Sequence, residues 1–478
     1  MKLRIDKLFL YRHRFRIGYC LLGLVFIAIL IFLPTIAPGG LSTDEMQSVV
    51  SSNQFSLSSF QTGDLINLPY RLLQKFSVSI FGLSLYAIKL PSILFGFATG
   101  ILLILLLNRW FKSNVALLAS IITVLSPIFL FLAGSGTPAI LYIFWLTLIL
   151  WLGAKIVGEK HQSPIIFISL IASIALALYT PHLIYIAIII GFVVITRPHM
   201  RFAIKKFKVP QLIISACVAL LLVAPLVLSC ILQPANLQQL LFTSNPANYI
   251  DNVTNAFAPF FSFGAAIESV FLAPLFGLAT VALIIIGVIA SMKTLFTSRN
   301  TAISLLVLFS IIIAGFNMNV ANIIFIPAAI LVAIGLESIL EKWYSLFPEN
   351  PYARVGGVIP IAIFISIIVI SGFSYTIFGY HYSPPVARQF NDDISIINAH
   401  LPAGTILIIP EDSLEYHFYK ILEHQKAFTI TSDLPDRADV TIATLGKSPS
   451  SIKLPLSRII TSSKSQNSDR LYIYNITE

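Results

Sequence analysis

The chain has 478 residues, enough for two or three ordinary domains, yet 57% are hydrophobic and only 11% charged, where a soluble domain carries about 25% charged residues. With a mean hydropathy of +0.87, that composition excludes a soluble globular protein and puts the chain in a bilayer. The net charge of +10 comes from 31 Lys and Arg against 21 Asp and Glu, spread along the chain with no groove-sized cluster, which argues against nucleic acid as a partner.

A membrane-spanning helix needs about 20 mostly apolar residues, because unpaired backbone groups cannot sit in lipid. The first such run extends from about Ile17 to Ala37, behind a basic leader with Lys2, Arg4, Lys7, Arg12, Arg14 and Arg16. No small-residue cleavage motif follows it, so it reads as an uncleaved anchor. Further runs centre near Phe95, Ile122, Trp145, Ile171, Ile188, Leu221, Val281, Leu306, Ile330 and Ile365, giving about eleven spans. With the leader taken as cytoplasmic, 19 Lys and Arg fall on that side and only Arg71, Lys75 and Lys89 on the other before the tail. The positive-inside rule then predicts a cytoplasmic N-terminus and, for an odd span count, an extracytoplasmic C-terminus. The three cysteines, Cys20, Cys217 and Cys230, lie in apolar runs and form neither a ligand-spaced pair nor a disulfide framework.

The organisation expected is therefore an all-α polytopic membrane domain, residues 1–380, with outer loops at 38–88 and 233–266. A small extracytoplasmic α/β domain at 381–478 completes it. In the tail, Thr405 to Pro410, Val440 to Leu445, Arg458 to Thr461 and Leu471 to Ile476 read as short strands. Ser413 to His424 reads as a helix with Leu414, Phe418 and Leu422 on one face. Through Tyr380 the chain carries +12 and the tail −2, so the overall excess of positive charge is mostly topology.

The sharpest local feature is Ser42-Thr43-Asp44-Glu45, just past the first span. One reading is a helix start, with Ser42 or Thr43 capping and the two acids in a favourable first turn. The other is a functional carboxylate pair, since ionisable residues at membrane depth are costly. An amphipathic stretch from Met46 to Phe60 follows, then Thr62-Gly63-Asp64-Leu65-Ile66-Asn67-Leu68-Pro69-Tyr70, then Phe81-Gly82 and Lys89-Leu90-Pro91-Ser92 at the start of the second span. This order resembles the GT-C glycosyltransferases of the protein O-mannosyltransferase and aminoarabinose transferase type. Those enzymes carry an Asp-Glu in the first outer loop, a Pro-containing segment, a Phe-Gly and an Arg-Leu-Pro-Ser-like segment; Lys89 here stands where they have arginine. Tyr179-Thr180-Pro181-His182 is similar to a Tyr-Thr-Pro turn in some bacterial relatives. The motifs cover roughly the first two hundred residues. One departure stands out: relatives usually place a charged residue between spans three and four, where this chain has the uncharged run Ala133 to Ala139.

The resemblance implies a GT-C-like fold and transfer of a sugar, with inversion, from a polyprenyl phosphate to an acceptor hydroxyl on a lipid, glycan or protein. Asp44 would be the general base, and Glu45 would orient the acceptor or support the loop. Arg71, Lys75 and Lys89 would face the leaving phosphate, although Lys75 and Lys89 equally suit snorkelling toward headgroups. Arg71 is favoured because it follows the Pro69 turn. Tyr70, Asp64 and His182 complete the substrate-binding set; Asp64 also reads as a turn residue and His182 as an interfacial histidine with a backbone partner. No spacing names metal ligands, and whether a divalent metal assists stays open. Two other classes remain: a transporter or flippase of lipid-linked intermediates, and a non-catalytic membrane scaffold.

Overall fold

A computed structural model describes residues 13–36, 39–55, 65–158, 163–241, 249–254, 277–293, 297–315, 322–347, 349, 351–379, 389–402, 404–423, 428–432, 441–445, 455–461 and 470–474. The chain opens with the apolar helix α1 (Arg14–Ile36) and a two-residue strand, β1 (Leu41–Ser42), which leads into α2 (Thr43–Gln54). Helix α3 (Leu68–Phe81) starts at Asn67, in left-handed conformation, and ends at Gly82, φ 73°. Both residue types are those that accept positive φ most readily. These turns lay α3 between α2 and the long α4 (Leu85–Trp110).

Helices α5 (Ser113–Val124) and α6 (Pro127–Gly134) are bent by 57° at a proline that lacks an amide for the helical ladder. Then come α7 (Ile140–Gly158), α8 (Pro164–Ala177), α9 (Ile184–Thr196), α10 (Pro198–Lys205), α11 (Val209–Leu232) and α12 (Pro234–Leu241). Proline stands in the first turn of α8, α10 and α11, where its missing amide costs nothing. The helical part closes with α13 (Leu278–Met292), α14 (Ser298–Ala314), α15 (Phe325–Leu346) and α16 (Pro351–Ser374), which runs into a π turn at Tyr375–Gly379.

Among the described residues, six helices are long and apolar enough to cross a membrane, or up to eight if each of two bent pairs is one span. Three shorter apolar helices, α8, α13 and α14, accompany them. The expected figure of eleven is reached only if every bent pair and every short apolar helix also spans. Helix α15 is the centre of the bundle: 78% of its apolar window is buried, against 17% for α11 and 11% for the last candidate span. It approaches α13 so closely that a Cβ on Gly287 would lie 2.0 Å from the Leu331 carbonyl oxygen, and one on Gly335 would lie 2.3 Å from that of Leu283. Small residues allow such backbone contact between apolar helices. Around this axis Phe26, Phe129 and Phe325 stack in series, with centroids 5.8 and 5.5 Å apart.

The C-terminal part contains β2 (Phe390–Asn391), α17 (Asp393–His400), β3 (Ile406–Ile408), α18 (Leu414–Glu423), β4 (Thr429–Thr431), β5 (Ile442–Leu445), β6 (Leu456–Ile460) and β7 (Leu471–Tyr474). One five-stranded sheet has the order β4-β3-β5-β7-β6, with β3 parallel to β4 and β5 and the remaining pairs antiparallel. Strands β3, β5, β6 and β7 and helix α18 stand where the alternation places them; α17 and β4 add to that reading.

This part does not hang free. β1 pairs antiparallel with β2, Leu41 opposite Asn391 and Ser42 opposite Phe390. A second core, separate from that of the bundle, joins Met46, Val49 and Val50 of α2 to Phe418 and Tyr419 of α18 and Ile394 and Ile397 of α17. The Asn398 amide also donates to the Leu83 carbonyl at 3.2 Å. Gly40, φ 74°, is required at the ribbon, because a Cβ there would lie 2.4 Å from the Asn391 carbonyl oxygen.

Candidate functional site

Ser42 is the N-cap of α2 and forms a full capping box: its hydroxyl accepts from the Glu45 amide at 3.3 Å, and Glu45 Oε2 accepts from the Ser42 amide at 2.9 Å. Two amides at a helix start are thereby satisfied reciprocally. Glu45 is 1% exposed, and its other oxygen accepts from the Gly136 amide at 2.5 Å and lies 3.6 Å from the Lys89 ammonium. Both carboxylate oxygens are thus bonded within the protein. Successive helix residues point about 100° apart, and Asp44, one position earlier, is exposed.

From Glu45 a buried polar network runs between α2, α3, α4 and the segment after α6. The Gln74 amide nitrogen donates to the carbonyls of Gly136 at 3.0 Å and Ile88 at 3.2 Å, while its oxygen accepts from Ser48 and Ser52 at 2.8 and 2.7 Å. The Ser77 hydroxyl donates to the Ala87 carbonyl at 2.6 Å. The Tyr70 hydroxyl meets that of Ser92 at 2.8 Å, and Ser92 reaches the Thr137 carbonyl at 3.1 Å. A fully satisfied network of this kind fixes one arrangement of the elements that share it. The uncharged run at 133–139 takes part through backbone groups. Gly136 is needed there, since a Cβ would lie 2.9 Å from Ile88 Cγ2 and 3.3 Å from Glu45 Oε1.

Three of the side chains expected to bind substrate, Lys89, Tyr70 and Lys75, are bonded within the protein. Lys89 is 1% exposed; besides Glu45 its ammonium reaches the Pro34 carbonyl at 3.4 Å and lies 6.0 Å from the Phe390 ring centre. It does not snorkel, and it ties the end of α1, the start of α2 and strand β2 to α4. Tyr70 is fully buried, and its phenol is pushed well above its usual range, first by burial and also by the charge of Glu45, against the hydrogen bond to Ser92. Lys75 donates to the carbonyls of Asn53, at 3.2 Å, and Phe55. A cation at those orphan carbonyls caps the C-terminus of α2.

Arg71 is half-buried in the first turn of α3. Asp64 lies outside the described residues, as does most of the 233–266 loop. Among the described residues no group of three or more His, Cys, Asp or Glu side chains can hold a metal, and the oxygens of Glu45 are already engaged.

His182 is 1% exposed and, with φ 64°, shares with Asn67, φ 56°, the distinction of positive φ without being glycine among the described residues. Its amide donates to the Leu240 carbonyl at 2.9 Å and its ring stacks near Tyr185. The backbone partner expected for an interfacial histidine is present for the amide, but neither ring nitrogen has a partner among the described residues. Burial lowers its pKa from 6.5 to about 4. The unfolded chain therefore binds more protons than the folded one between those values, and His182 withdraws stability as pH falls from about 6.5 towards 4. Thermal melts should drop between pH 7 and pH 5, and His182→Asn, which tolerates the left-handed backbone, should flatten that drop. An equal drop in both proteins would place the acid sensitivity elsewhere.

An open cavity of about 450 Å³ lies at the seam between the two parts of the chain, lined by Thr35, Gly40, Leu85, Asp392, Ser395 and His400 among others. An apolar one of about 270 Å³ lies where the α5–α6 break meets the start of α13 and the π turn. Gln74, Gly136, Asn67 and Phe390 have no role expected from the sequence. Of these only Gln74, a long polar side chain inside an otherwise apolar stretch, carried a signal that marked it.

Residues 69–228 match the family model of dolichyl-phosphate-mannose-protein mannosyltransferases. The fold is similar to that of ArnT from Cupriavidus metallidurans in the apo state, with TM-score 0.50 and 13% identity over 94% of this chain and 97% of that one. It is also similar to the Archaeoglobus fulgidus oligosaccharyltransferase in complex with Zn and sulfate, with TM-score 0.52 and 12% identity over 88% of this chain and 67% of that one. A second structure of that enzyme, tethered to an acceptor peptide containing the NVT sequon, aligns with TM-score 0.50 and 12% identity over 86% of this chain and 64% of that one. No curated protein matches this chain in sequence. The architecture is the GT-C fold of polytopic membrane glycosyltransferases. The family-model match covers residues 69–228 of the 478, and the alignment with ArnT, which runs the length of both chains, shows likeness of fold.

Proposed function

We propose that the protein transfers a sugar from a polyprenyl phosphate to an acceptor hydroxyl at the outer face of the membrane, with Asp44 as general base. The observation that carries this reading is the division of labour in the acidic pair: Glu45 is buried and bonded through both oxygens, and Asp44 is exposed on the mount so formed. In the reaction the acceptor oxygen attacks the anomeric carbon from the side opposite the phosphate, its proton passes to the Asp44 carboxylate, and the bond from that carbon to the phosphate oxygen breaks. The configuration inverts, and the lipid phosphate leaves with the electron pair. A base in hydrogen-bond reach of the attacking hydroxyl contributes about 10²- to 10⁴-fold. Arg71, half-buried on α3, is the cation we assign to the leaving phosphate; Lys89 is too deeply buried for that role. The N-terminus is cytoplasmic and the C-terminal domain extracytoplasmic in this reading, following the distribution of Lys and Arg.

The test offers purified protein radiolabelled mannosyl-, glucosyl- and aminoarabinosyl-phosphoryl undecaprenol, with total envelope extract as the source of acceptor. Incorporation from one donor, and co-purification of a polyprenyl phosphate seen by mass spectrometry, are expected. Failure of all three donors together with absence of any bound polyprenyl lipid would overturn the assignment.

A further inference from the structure

The two non-glycine residues with positive φ among those described, Asn67 and His182, belong to segments that touch. The Asn67 amide donates to the Tyr179 carbonyl at 2.8 Å, and Tyr179 opens the turn that ends in His182. Four buried polar atoms at this junction have no partner among the described residues: Asn67 Oδ1, Thr180 Oγ1 and both ring nitrogens of His182. Thr180 and His182 are each 1% exposed. Native proteins satisfy nearly all buried polar groups, so a group of orphans asks for an explanation. A left-handed backbone at a non-glycine residue is uncommon and gathers at turns and binding sites. Here both signs fall on one contact.

From this coincidence we infer a second ligand subsite at the Asn67–Thr180–His182 junction, one that takes a neutral hydroxyl- or amide-bearing part of the acceptor. The inference rests on the transferase reading above. The chemistry of the occupant follows from the groups present. An amide oxygen, a hydroxyl and a neutral imidazole together offer donors and acceptors but no charge, so they suit hydroxyls or amides. A phosphate would stay under-compensated against these three groups, and a prenyl tail would leave every one of them unmet.

Position separates this subsite from Asp44. Lys75 bonds the carbonyls of Asn53 and Phe55 at the end of α2, and Phe55 shares a small core with Leu65, Ile66 and Tyr179. The junction therefore lies at the C-terminal end of α2, about 15 Å along that helix from Asp44, and one turn of α3 from Arg71, whose amide donates to the Asn67 carbonyl at 3.1 Å. A group held there sits away from the base, which fits a portion of an extended acceptor other than the attacking hydroxyl.

The experiment uses Thr180→Val, isosteric without the hydroxyl, and Asn67→Gly, which relieves the φ and removes the amide oxygen, singly and together. Three quantities are measured on the full chain: the melting temperature, the affinity for undecaprenyl phosphate, and transfer from the active undecaprenyl donor as envelope extract is titrated. The subsite predicts an unchanged or higher melting temperature, unchanged affinity for undecaprenyl phosphate, and an apparent KM for extract raised about tenfold or more in the double variant. A structural role for the junction would lower melting temperature and activity together. Occupation by water alone would leave the KM where it was. Either result, in a wild-type protein that transfers sugar, overturns the subsite and leaves the transferase reading standing; a wild-type protein that transfers from none of the three donors brings down both.

Discussion

Asp44→Asn is expected to lower sugar transfer by about 10²- to 10⁴-fold, the range a positioned general base supplies. The fold should not notice the change. Asp44 is exposed in the first turn of α2, where loss of its charge forfeits only the macrodipole term of about 0.3–1 kcal/mol. Asparagine keeps the size and loses the ability to take the acceptor proton. Label transfer and thermal melts on the same preparation decide the matter: activity collapses while the melting temperature holds. A rate equal to wild type would remove Asp44 from the role of base. Glu45→Gln should behave in the opposite way, because Glu45 is woven into the capping box, the Gly136 contact and the ion pair with Lys89; there the melting temperature falls and activity follows it.

Lys89→Met should destabilise the protein by about 3–5 kcal/mol, the cost of breaking a buried ion pair by removing one partner. Lys89 and Glu45 are each 1% exposed, so the remaining carboxylate has no water to turn to. The same principle predicts recovery. In Lys89→Met/Glu45→Gln no charge is left buried, so the penalty of a lone buried charge disappears. The double variant should therefore melt closer to wild type than Lys89→Met does, and the non-additivity measures the coupling. If Lys89→Met alone were as stable as wild type, the ion pair would not hold the loop. A loss of transfer in the stable double variant would show that the pair sets the position of Asp44, since the network from Glu45 through Gly136 to Gln74 begins at that mount.

The two acidic neighbours differ in a way that a linear pattern conveys only in part. The capping signature Ser42 to Glu45, the run of apolar segments, and the short strands of the tail are local properties. A cap needs a hydroxyl and an acid three residues apart, a span needs length and hydropathy, and a strand needs alternation. All of these are legible in order along the chain.

Which of Asp44 and Glu45 stays in solvent is different, because it depends on what covers the other face of α2. That cover comes from Gly136 and Lys89, 91 and 44 positions away, and from strand β2, some 350 residues on. Lys89 looked like an interfacial cation because its neighbours in sequence resemble a span entrance; tertiary packing instead enclosed it against a carboxylate, a carbonyl and an aromatic ring. The uncharged run at 133–139 looked like a missing functional charge, whereas its contribution is a backbone amide that no residue type announces. The junction of Asn67 with the Tyr179 turn likewise has no periodicity to betray it. Sequence by itself determined the membrane class, the acidic pair and the helix start that carries it, for each rests on interactions within a few residues. Only the tertiary structure decided which carboxylate is available and which polar groups have no partner among the described residues, because burial and pairing are properties of contacts between segments that the chain brings together from afar.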